Sequence, residues 1–264
     1  MSRSFGYRIY LGAVGGATLL ALLLRTLALF FDYDAIGYFG GGALSIITAI
    51  LQALTVVGCI AYAILTKEEE RPFPAVTSSA DRWLSAVAAC FFFAIAILLL
   101  LRAPTLGHTA FAILAGLSLL IGAVYFVLQF LGLRGALSLC AVGAILATIF
   151  FVMLTYFDLY TPMNAPRKIS LHLSLLICAL FLLYELRAAV ATPMPRVHAT
   201  VSAACVAIAL SMSGSNLIYS LACDRNGLYL LGDVLCLMIG LVAVFRLAGT
   251  LRAAPQDAEQ EDDQ

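Results

Sequence analysis

The sequence is divided into eight long apolar runs, and this feature restricts the fold more than any other. Each run has about the 20 residues that an α-helix needs to cross the hydrocarbon core of a bilayer. Because the runs are continuous and do not alternate with a period of two, they do not fit the strands of a membrane β-barrel. The sequence therefore predicts an all-α, polytopic transmembrane helical bundle of about eight spans. The runs cover residues 8–31, 42–66, 83–102, 109–131, 136–157, 167–187, 199–222 and 228–248.

The composition agrees with a chain that lies in lipid. Hydrophobic residues make up 63% and charged residues 11% of the 264 residues, whereas a soluble domain carries about 25% charged residues. The 15 Lys and Arg balance the 15 Asp and Glu, so no basic face predicts binding to nucleic acid or to anionic lipid. The lipid bilayer is the predicted partner, and the seven cysteines show no metal-type spacing, so we expect no metal and no cofactor.

The chain is predicted to form one membrane domain with a short polar tail. The first apolar run is longer than the core of a typical signal peptide and no small-residue cleavage site follows it, so we interpret it as a retained span. Residues 1–252 form the predicted transmembrane domain. Residues 253–264 are acidic and poor in apolar residues, which predicts a disordered cytoplasmic tail.

Basic residues indicate the orientation, because cytoplasmic connections of membrane proteins carry an excess of Lys and Arg. With the N-terminus inside, ten basic residues lie on the cytoplasmic side and four lie outside. Both termini are therefore predicted to be cytoplasmic, and the spans form four consecutive hairpins. The ten are Arg3, Arg8, Lys67, Arg71, Arg82, Arg134, Arg187, Arg196, Arg246 and Arg252, and the four are Arg102, Arg167, Lys168 and Arg225.

This orientation places a cluster of charged residues on the outer turns. Asp32 and Asp34 follow the first span, and Asp158 follows the fifth. Arg167 and Lys168 begin the sixth span, which is the unfavourable end of a helix for cations. We therefore predict that this basic pair is balanced by Asp158 or by aspartates of the neighbouring turns.

Polar and small residues recur at helical spacing in three spans. They include Thr48 and Gln52 in the second span, Ser174 in the sixth, and Ser213 and Asn216 in the seventh. Two interpretations remain open. Such residues let helices approach and exchange hydrogen bonds worth about 0.6 kcal/mol, or they line a solvated path or cavity of the kind that transporters build. Gln52 favours a cavity, because an unpaired amide near the middle of a span is costly.

Charged residues inside spans are candidates for function. Arg25 lies on roughly the same helical face as Asp32, so we expect its side chain to extend toward an outer carboxylate. Asp233 lies within the last span and needs a partner, for which Arg25 or Arg225 is available. A structural ion pair and a role in binding a coupling ion or a proton are both open for Asp233.

Glu185 lies near the cytoplasmic end of the sixth span. At this depth a basic neighbour neutralises the carboxylate, so we predict a structural ion pair. The candidates for that neighbour are Arg134, Arg187 and Arg196.

Sequence patterns of enzymes are weak in this chain. No His-Glu-x-x-His, Gly-x-Ser-x-Gly or P-loop pattern occurs, so no enzyme is predicted. His108 and His172 lie toward the outer side and could form a metal site only together with the turn aspartates, whereas His198 lies toward the inner side. The only lysines, Lys67 and Lys168, lie at membrane edges, which excludes a retinal Schiff base in mid-span.

One stretch resembles a known family. The segment "YFDLYTPMNAPRKI", the apolar helix ending in "LLYELR" and the following "PMPR" occupy residues 156–196. This stretch resembles a family of uncharacterised multi-pass integral membrane proteins of clostridia and related Firmicutes, in which a Phe-Asp and Pro-Met-Asn-x-Pro-x-Lys segment precedes a helix ending in Glu-x-Arg. The resemblance implies a protein of the bacterial cytoplasmic (inner) membrane. It implies no activity, so no binding or catalytic residue follows from it.

Two functions of different classes follow from these observations. The first is transport or binding of a small solute through a polar path between the second, sixth and seventh spans. The alternative is a non-catalytic membrane scaffold or sensor whose outer turns or acidic tail engage a membrane protein partner or a second copy of the chain.

Overall fold

The computed structural model describes residues 3–32, 42–65, 79–133, 137–158, 161–162, 165–190, 194–223 and 227–252. Within these ranges, eight helices are long and apolar enough to cross a membrane. The predicted all-α fold is confirmed, and the protein is a multi-pass integral membrane protein. Asp34 and the tail at 253–264 lie outside the described residues. The helices are α1 (Arg3–Phe31), α2 (Ala43–Leu65), α3 (Ser79–Arg102), α4 (Thr109–Leu131), α5 (Leu137–Tyr156), α6 (Pro166–Val190), α7 (Pro195–Cys205), α8 (Gly214–Ala222) and α9 (Gly227–Arg252).

One span is not a regular α-helix. A π-helical segment, Val206–Ser213, joins α7 to α8, and the three pieces together make the seventh span. The segment packs closely on α9, because a Cβ atom added to Gly240 would lie 2.8 Å from Leu210 Cδ2. Helices of this type are rare and occur frequently at functional sites.

The two spans of each predicted hairpin pack against each other, which agrees with four hairpins. α1 contacts α2, α3 contacts α4, α5 contacts α6, and the seventh span contacts α9. α9 and the π-helical segment also contact α6, so these elements lie inside the bundle. α2 lies at the edge, because only 17% of its span is buried, against 72% for the seventh span.

The bundle has two ends, which we call the turn end and the terminus end. The turn end holds Asp32 after α1 and Phe157 after α5, and there the His108 Nε2 atom lies 3.0 Å from the Phe157 carbonyl oxygen. The terminus end holds the start of α1 and the end of α2, where the Tyr10 and Tyr62 rings stack with centroids 4.0 Å apart. The turn end is the one predicted to face outward.

Small residues bring α3, α4 and α5 into close contact. A Cβ atom at Gly122 would lie 3.0 Å from Phe92 Cδ1 and 3.1 Å from the Ala144 Cα atom. The Phe92 ring in turn meets the Phe126 ring edge-on, with centroids 4.9 Å apart. Helices in lipid associate mainly through this kind of van der Waals packing, so the three helices form a stable part of the bundle.

The outer faces of the helices carry large apolar side chains that no other helix covers. Leu54 and Ile64 on α2 and Leu101 on α3 are examples. In water a surface of this kind would be unfavourable, whereas in a bilayer it contacts acyl chains. The exposed faces therefore indicate contact with the lipid bilayer.

Candidate functional site

Two buried polar clusters lie between α6 and α9, one near each end of the bundle. α6 carries Arg167 near its start and Glu185 near its end, and the antiparallel α9 carries Asp233 and then Arg246. Opposite charges therefore meet twice between the same two helices. Asp233 and Arg246 are 246 − 233 = 13 residues apart, which is about 20 Å along a helix axis. The clusters are therefore separate sites.

The cluster nearer the turn end is centred on Asp233 and contains Arg167, Ser213 and Asn216. Ser174 lies one helical turn after Ser170, which bonds to Asn216, so we assign it to the same face of α6. We call this group the Asp233 site. The Asp233 side chain is 0% exposed. Arg167 Nη2 lies 4.0 Å from Asp233 Oδ2, which is outside hydrogen-bond distance. This pairing lies within the membrane domain, whereas the sequence predicted a balance for Arg167 in the outer turns.

Arg167 has further contacts on the other side of its guanidinium group. Its Nη2 atom donates a hydrogen bond of 2.6 Å to Ser220 Oγ. The guanidinium carbon also lies 5.1 Å from the centre of the Tyr229 ring, a distance at which a cation is attracted to an aromatic face. These contacts hold the guanidinium in place beside Asp233.

Asn216 connects α6 with α9. Its Nδ2 atom donates to Ser170 Oγ at 2.9 Å and to Asp233 Oδ1 at 3.3 Å. The two donors of the amide are thereby used, while its acceptor Oδ1 has no hydrogen-bond partner among the described residues. Asn216 therefore orients one carboxylate oxygen and leaves an acceptor of its own open.

The Asp233 site has an unusual number of unsatisfied buried oxygens. In the described part of the chain, four such atoms have no hydrogen-bond partner: Ser174 Oγ, Ser213 Oγ, Asn216 Oδ1 and Asp233 Oδ2. The Ser213 hydroxyl lies near the Asp233 carboxylate but makes no hydrogen bond of acceptable geometry. Since native proteins pair nearly all buried polar atoms with protein or ordered water, this group is the candidate binding site of the protein.

Arg25 also faces this site. Its side chain is 7% exposed, and it lies close enough to Asp233 for an electrostatic interaction. Arg25 is therefore buried, whereas the sequence predicted a side chain that extends toward Asp32. The Asp32 carboxylate is used to fix the start of α2, because its Oδ2 atom accepts hydrogen bonds from Ser45 N at 3.0 Å and Ser45 Oγ at 2.9 Å.

Lys168 and Asp158 close the turn end above the Asp233 site. The fully buried Lys168 ammonium donates to the carbonyl oxygens of Asp158 at 2.9 Å and Thr161 at 3.2 Å. Asp158 Oδ2 accepts hydrogen bonds from Thr161 Oγ1 at 2.8 Å and from the Tyr229 hydroxyl at 3.1 Å. The predicted closeness of Lys168 and Asp158 is found, although the direct contacts are to backbone carbonyls.

The second cluster lies near the terminus end and contains Tyr125, Gln129, Glu185, His198 and Arg246; we call it the Glu185 network. The Glu185 carboxylate is 2.7 Å from His198 Nε2 and accepts from Arg246 Nε at 3.2 Å. Arg246 Nη2 donates to Gln129 Oε1 at 3.0 Å, and Gln129 Nε2 donates to the Tyr125 hydroxyl. Four helices thereby contribute to one closed network.

The predicted ion pair of Glu185 is present, but its partners differ from those expected. The expected arginines lie close to Glu185 along the sequence or in the adjoining turns, whereas Arg246 comes from α9 and His198 from α7. Arg134, one of the expected partners, lies outside the described residues. Sequence spacing does not reveal which distant helix packs beside α6, so it misses this pairing.

Gln52 and Thr48 belong to helix contacts. Gln52 Nε2 donates to Ser211 Oγ at 2.8 Å. The buried amide is therefore paired, whereas the cavity interpretation assumed an unpaired amide. Thr48 Oγ1 donates to the Leu44 carbonyl within its own helix at 2.7 Å. These two residues favour the packing interpretation for α2, and the candidate path is reduced to Ser174, Ser213 and Asn216.

Metal-binding groups are not assembled in the described ranges, where no three or more His, Cys, Asp or Glu side chains are placed to hold an ion. His108 contacts the Phe157 carbonyl oxygen, and His172 Nε2 lies 2.9 Å from Thr155 Oγ1. All seven cysteines are free.

Comparisons with protein-family models, with curated proteins and with solved structures find no match. The resemblance of residues 156–196 to the clostridial membrane family therefore stays a prediction.

Proposed function

We propose that the protein binds a small polar solute in the Asp233 site and moves it across the membrane. The observation that carries this proposal is the group of four unsatisfied oxygens around Asp233. Each buried polar atom without a partner costs about 1–3 kcal/mol. A fold that keeps four of them together is best explained by a solute or by water that supplies the missing hydrogen bonds.

The surroundings of the site support transport. The π-helical segment ends at Ser213, so irregular backbone lies directly beside the unsatisfied oxygens. Transporters place substrate and ion sites beside interrupted helices, and irregular backbone at membrane depth is tolerated where it is covered by protein or lines a cavity. The seventh span has this character next to Asp233.

The Glu185 network supplies a barrier at the other end. Its ionic groups contact one another directly, and Glu185, His198 and Arg246 are all buried. A network of this kind blocks water and solutes, whereas the Asp233 site contains polar atoms with capacity to bind. The contacts of Lys168 and Asp158 cover the turn end in this conformation, so solute exchange there requires that these contacts open.

The solute class follows from the chemistry of the four oxygens. Asn216 Oδ1 and Asp233 Oδ2 accept hydrogen bonds, while the Ser174 and Ser213 hydroxyls both donate and accept. A small solute rich in hydroxyl, amide or amine donors matches this set. From the resemblance of residues 156–196 to the clostridial family, we propose that the membrane is the bacterial cytoplasmic membrane.

Thiol accessibility tests this proposal without knowledge of the solute. In a variant whose seven native cysteines are replaced, single cysteines are introduced as Ser174→Cys and Ser213→Cys. A charged, membrane-impermeant methanethiosulfonate reagent is added from each side of the membrane in turn. Both thiols are expected to react from at least one side, because a transport path must open to water.

Ser202→Cys is the matched control. Ser202 lies in the same span and is 0% exposed, but its hydroxyl bonds to the His198 carbonyl oxygen at 2.7 Å beside the Glu185 network. It is expected to stay unreactive. If the thiols at 174 and 213 are as unreactive from both sides as the one at 202, the Asp233 site is dry, and the scaffold or sensor function replaces transport.

A further inference from the structure

Asp233 and Glu185 are both buried carboxylates opposite an arginine, but their surroundings differ. The two Glu185 oxygens are each within hydrogen-bond distance of a basic group, at 2.7 Å from His198 and 3.2 Å from Arg246. Asp233 accepts one hydrogen bond, of 3.3 Å from Asn216, at Oδ1. Its Oδ2 atom accepts none from the described residues. Both oxygens of the Glu185 carboxylate are thus paired with protein groups, whereas only one oxygen of the Asp233 carboxylate is.

Arg167 does not supply the missing hydrogen bond to Asp233 Oδ2. The 4.0 Å gap to Oδ2 is wider than a hydrogen bond, and the same Nη2 atom already donates to Ser220 Oγ at 2.6 Å. To close the gap, the guanidinium would have to leave Ser220 and its position over the Tyr229 ring. The charge of Arg167 therefore acts on Asp233 at a distance.

The groups that face Asp233 come from every side of the site. Arg25 faces it from α1 and Arg167 from α6. The π-helical segment and α8 contribute the uncharged Ser213 and Asn216. Ser213 thus places a neutral hydroxyl beside the Asp233 carboxylate, and its Oγ atom has no hydrogen-bond partner among the described residues.

When no solute is bound, one added proton lets two of the unsatisfied atoms form a hydrogen bond with each other. An ionised carboxylate oxygen only accepts hydrogen bonds, whereas a protonated one also donates. With a proton on Asp233 Oδ2, the new O–H group can donate to Ser213 Oγ, which lies beside it without a hydrogen bond. The same proton removes a negative charge whose burial with a single hydrogen bond, from Asn216, is costly.

We propose that Asp233 is a proton-binding site of this protein, with the proton on Oδ2 and Ser213 Oγ as its acceptor. The proton comes from bulk water and forms one O–H bond, and no bond in the protein breaks. Its release to water regenerates a carboxylate that faces Arg25 and Arg167. Coupling of this uptake and release to solute movement rests on the proposed function, whereas proton binding itself does not.

Infrared spectroscopy of the purified full-length protein in lipid nanodiscs tests the proposal. At about pH 6, carboxyl groups in water are ionised, because their pKa is about 4. A carbonyl-stretching band of a neutral carboxylic acid at that pH therefore reports a buried acid. We expect this band in the wild-type protein, its loss in Asp233→Asn, and its retention in the control Asp158→Asn.

A second variant tests the proposal through the frequency of the band, which does not depend on folding alone. Ser213→Ala removes the proposed acceptor, so the band should stay but shift to higher frequency. If the wild-type protein lacks the band, or if the band persists unchanged in Asp233→Asn, the proposal is wrong. If Asp233→Asn does not fold, Ser213→Ala decides: a shifted band supports the proposal and an unchanged band overturns it. Because thiol accessibility plays no part here, failure of proton binding is distinct from failure of transport.

Discussion

Replacing Arg246 by Met should destabilise the protein far more than the same change at Arg167. Arg246 donates two buried hydrogen bonds, of 3.2 Å to Glu185 and 3.0 Å to Gln129. Removing one partner of a buried ion pair costs about 3–5 kcal/mol, because the other charge is left uncompensated. His198 remains 2.7 Å from Glu185 and keeps part of the attraction, so we expect about 3 kcal/mol.

The matched substitution, Arg167→Met, removes a contact of another kind. It loses a hydrogen bond to Ser220 and the contact with Tyr229, but no hydrogen bond to Asp233, whose Oδ2 atom is 4.0 Å away. We expect a cost of about 1–2 kcal/mol. The difference between the two variants therefore reports how differently the two carboxylates are held.

Reversible unfolding in mixed micelles of a mild detergent and dodecyl sulfate measures both costs. The free-energy loss of about 3 kcal/mol for Arg246→Met corresponds to about two orders of magnitude in the unfolding equilibrium, since about 1.4 kcal/mol is a factor of ten. The double variant Glu185→Met with Arg246→Met should lose less than the sum of the single changes, because neither Glu185 nor Arg246 is then left without the other. Equal losses of stability in Arg167→Met and Arg246→Met would refute the inference that Glu185 is fully hydrogen-bonded and Asp233 is not.

Three smaller predictions use the same unfolding measurement. Gly122→Ala should lower the free energy of unfolding by about 1–3 kcal/mol, because the added methyl meets the backbone of α5 at 3.1 Å. The control Gly58→Ala, with no atom within 4 Å of the added methyl, should lose no stability. Equal losses in the two variants would contradict this prediction. Ser211→Ala should cost about 1 kcal/mol through loss of the 2.8 Å bond from Gln52, and an unchanged stability would show that the bond is not formed in the membrane. Tyr229→Phe should cost about 1 kcal/mol and Tyr229→Leu should cost more, because only the second change also removes the ring beside the guanidinium; equal costs would exclude the cation–π contact.

The spans were predictable because helix length in a membrane is set by the thickness of the hydrocarbon core. The run at 109–131 is α4, and the run at 42–66 differs from α2 by one residue at each end. The last run, 228–248, falls four residues short of the end of α9. The apolar pattern stops where the helix leaves the hydrocarbon, although the backbone hydrogen bonds continue.

The burial of Asn216, Ser213 and Ser174 was also predictable, because helical spacing places polar residues on one face. The partners of charged residues were not. Arg246 and Glu185 are 61 residues apart in the sequence, and spacing along one helix does not tell which other helix lies beside it.

Ser211 shows a second limit of the sequence. It is not on the helical face of Ser213 and Asn216 that the sequence predicted to be interior, so its hydrogen bond with Gln52 was not expected. The prediction treated only one face of this helix as interior. In the structure 72% of the span is buried, and α2 covers a second face. The π-helical segment from Val206 to Ser213 also departs from the regular period on which such a prediction depends.

A high-resolution electron cryo-microscopy or crystallographic map of the protein in lipid tests the central claim most directly. We expect ordered non-protein density within about 2.7–3.2 Å of Asn216 Oδ1 and of the Ser174 and Ser213 hydroxyls, and no such density within the Glu185 network. Direct protein–protein hydrogen bonds to all of these oxygens, with no density between them, would contradict a binding site at Asp233.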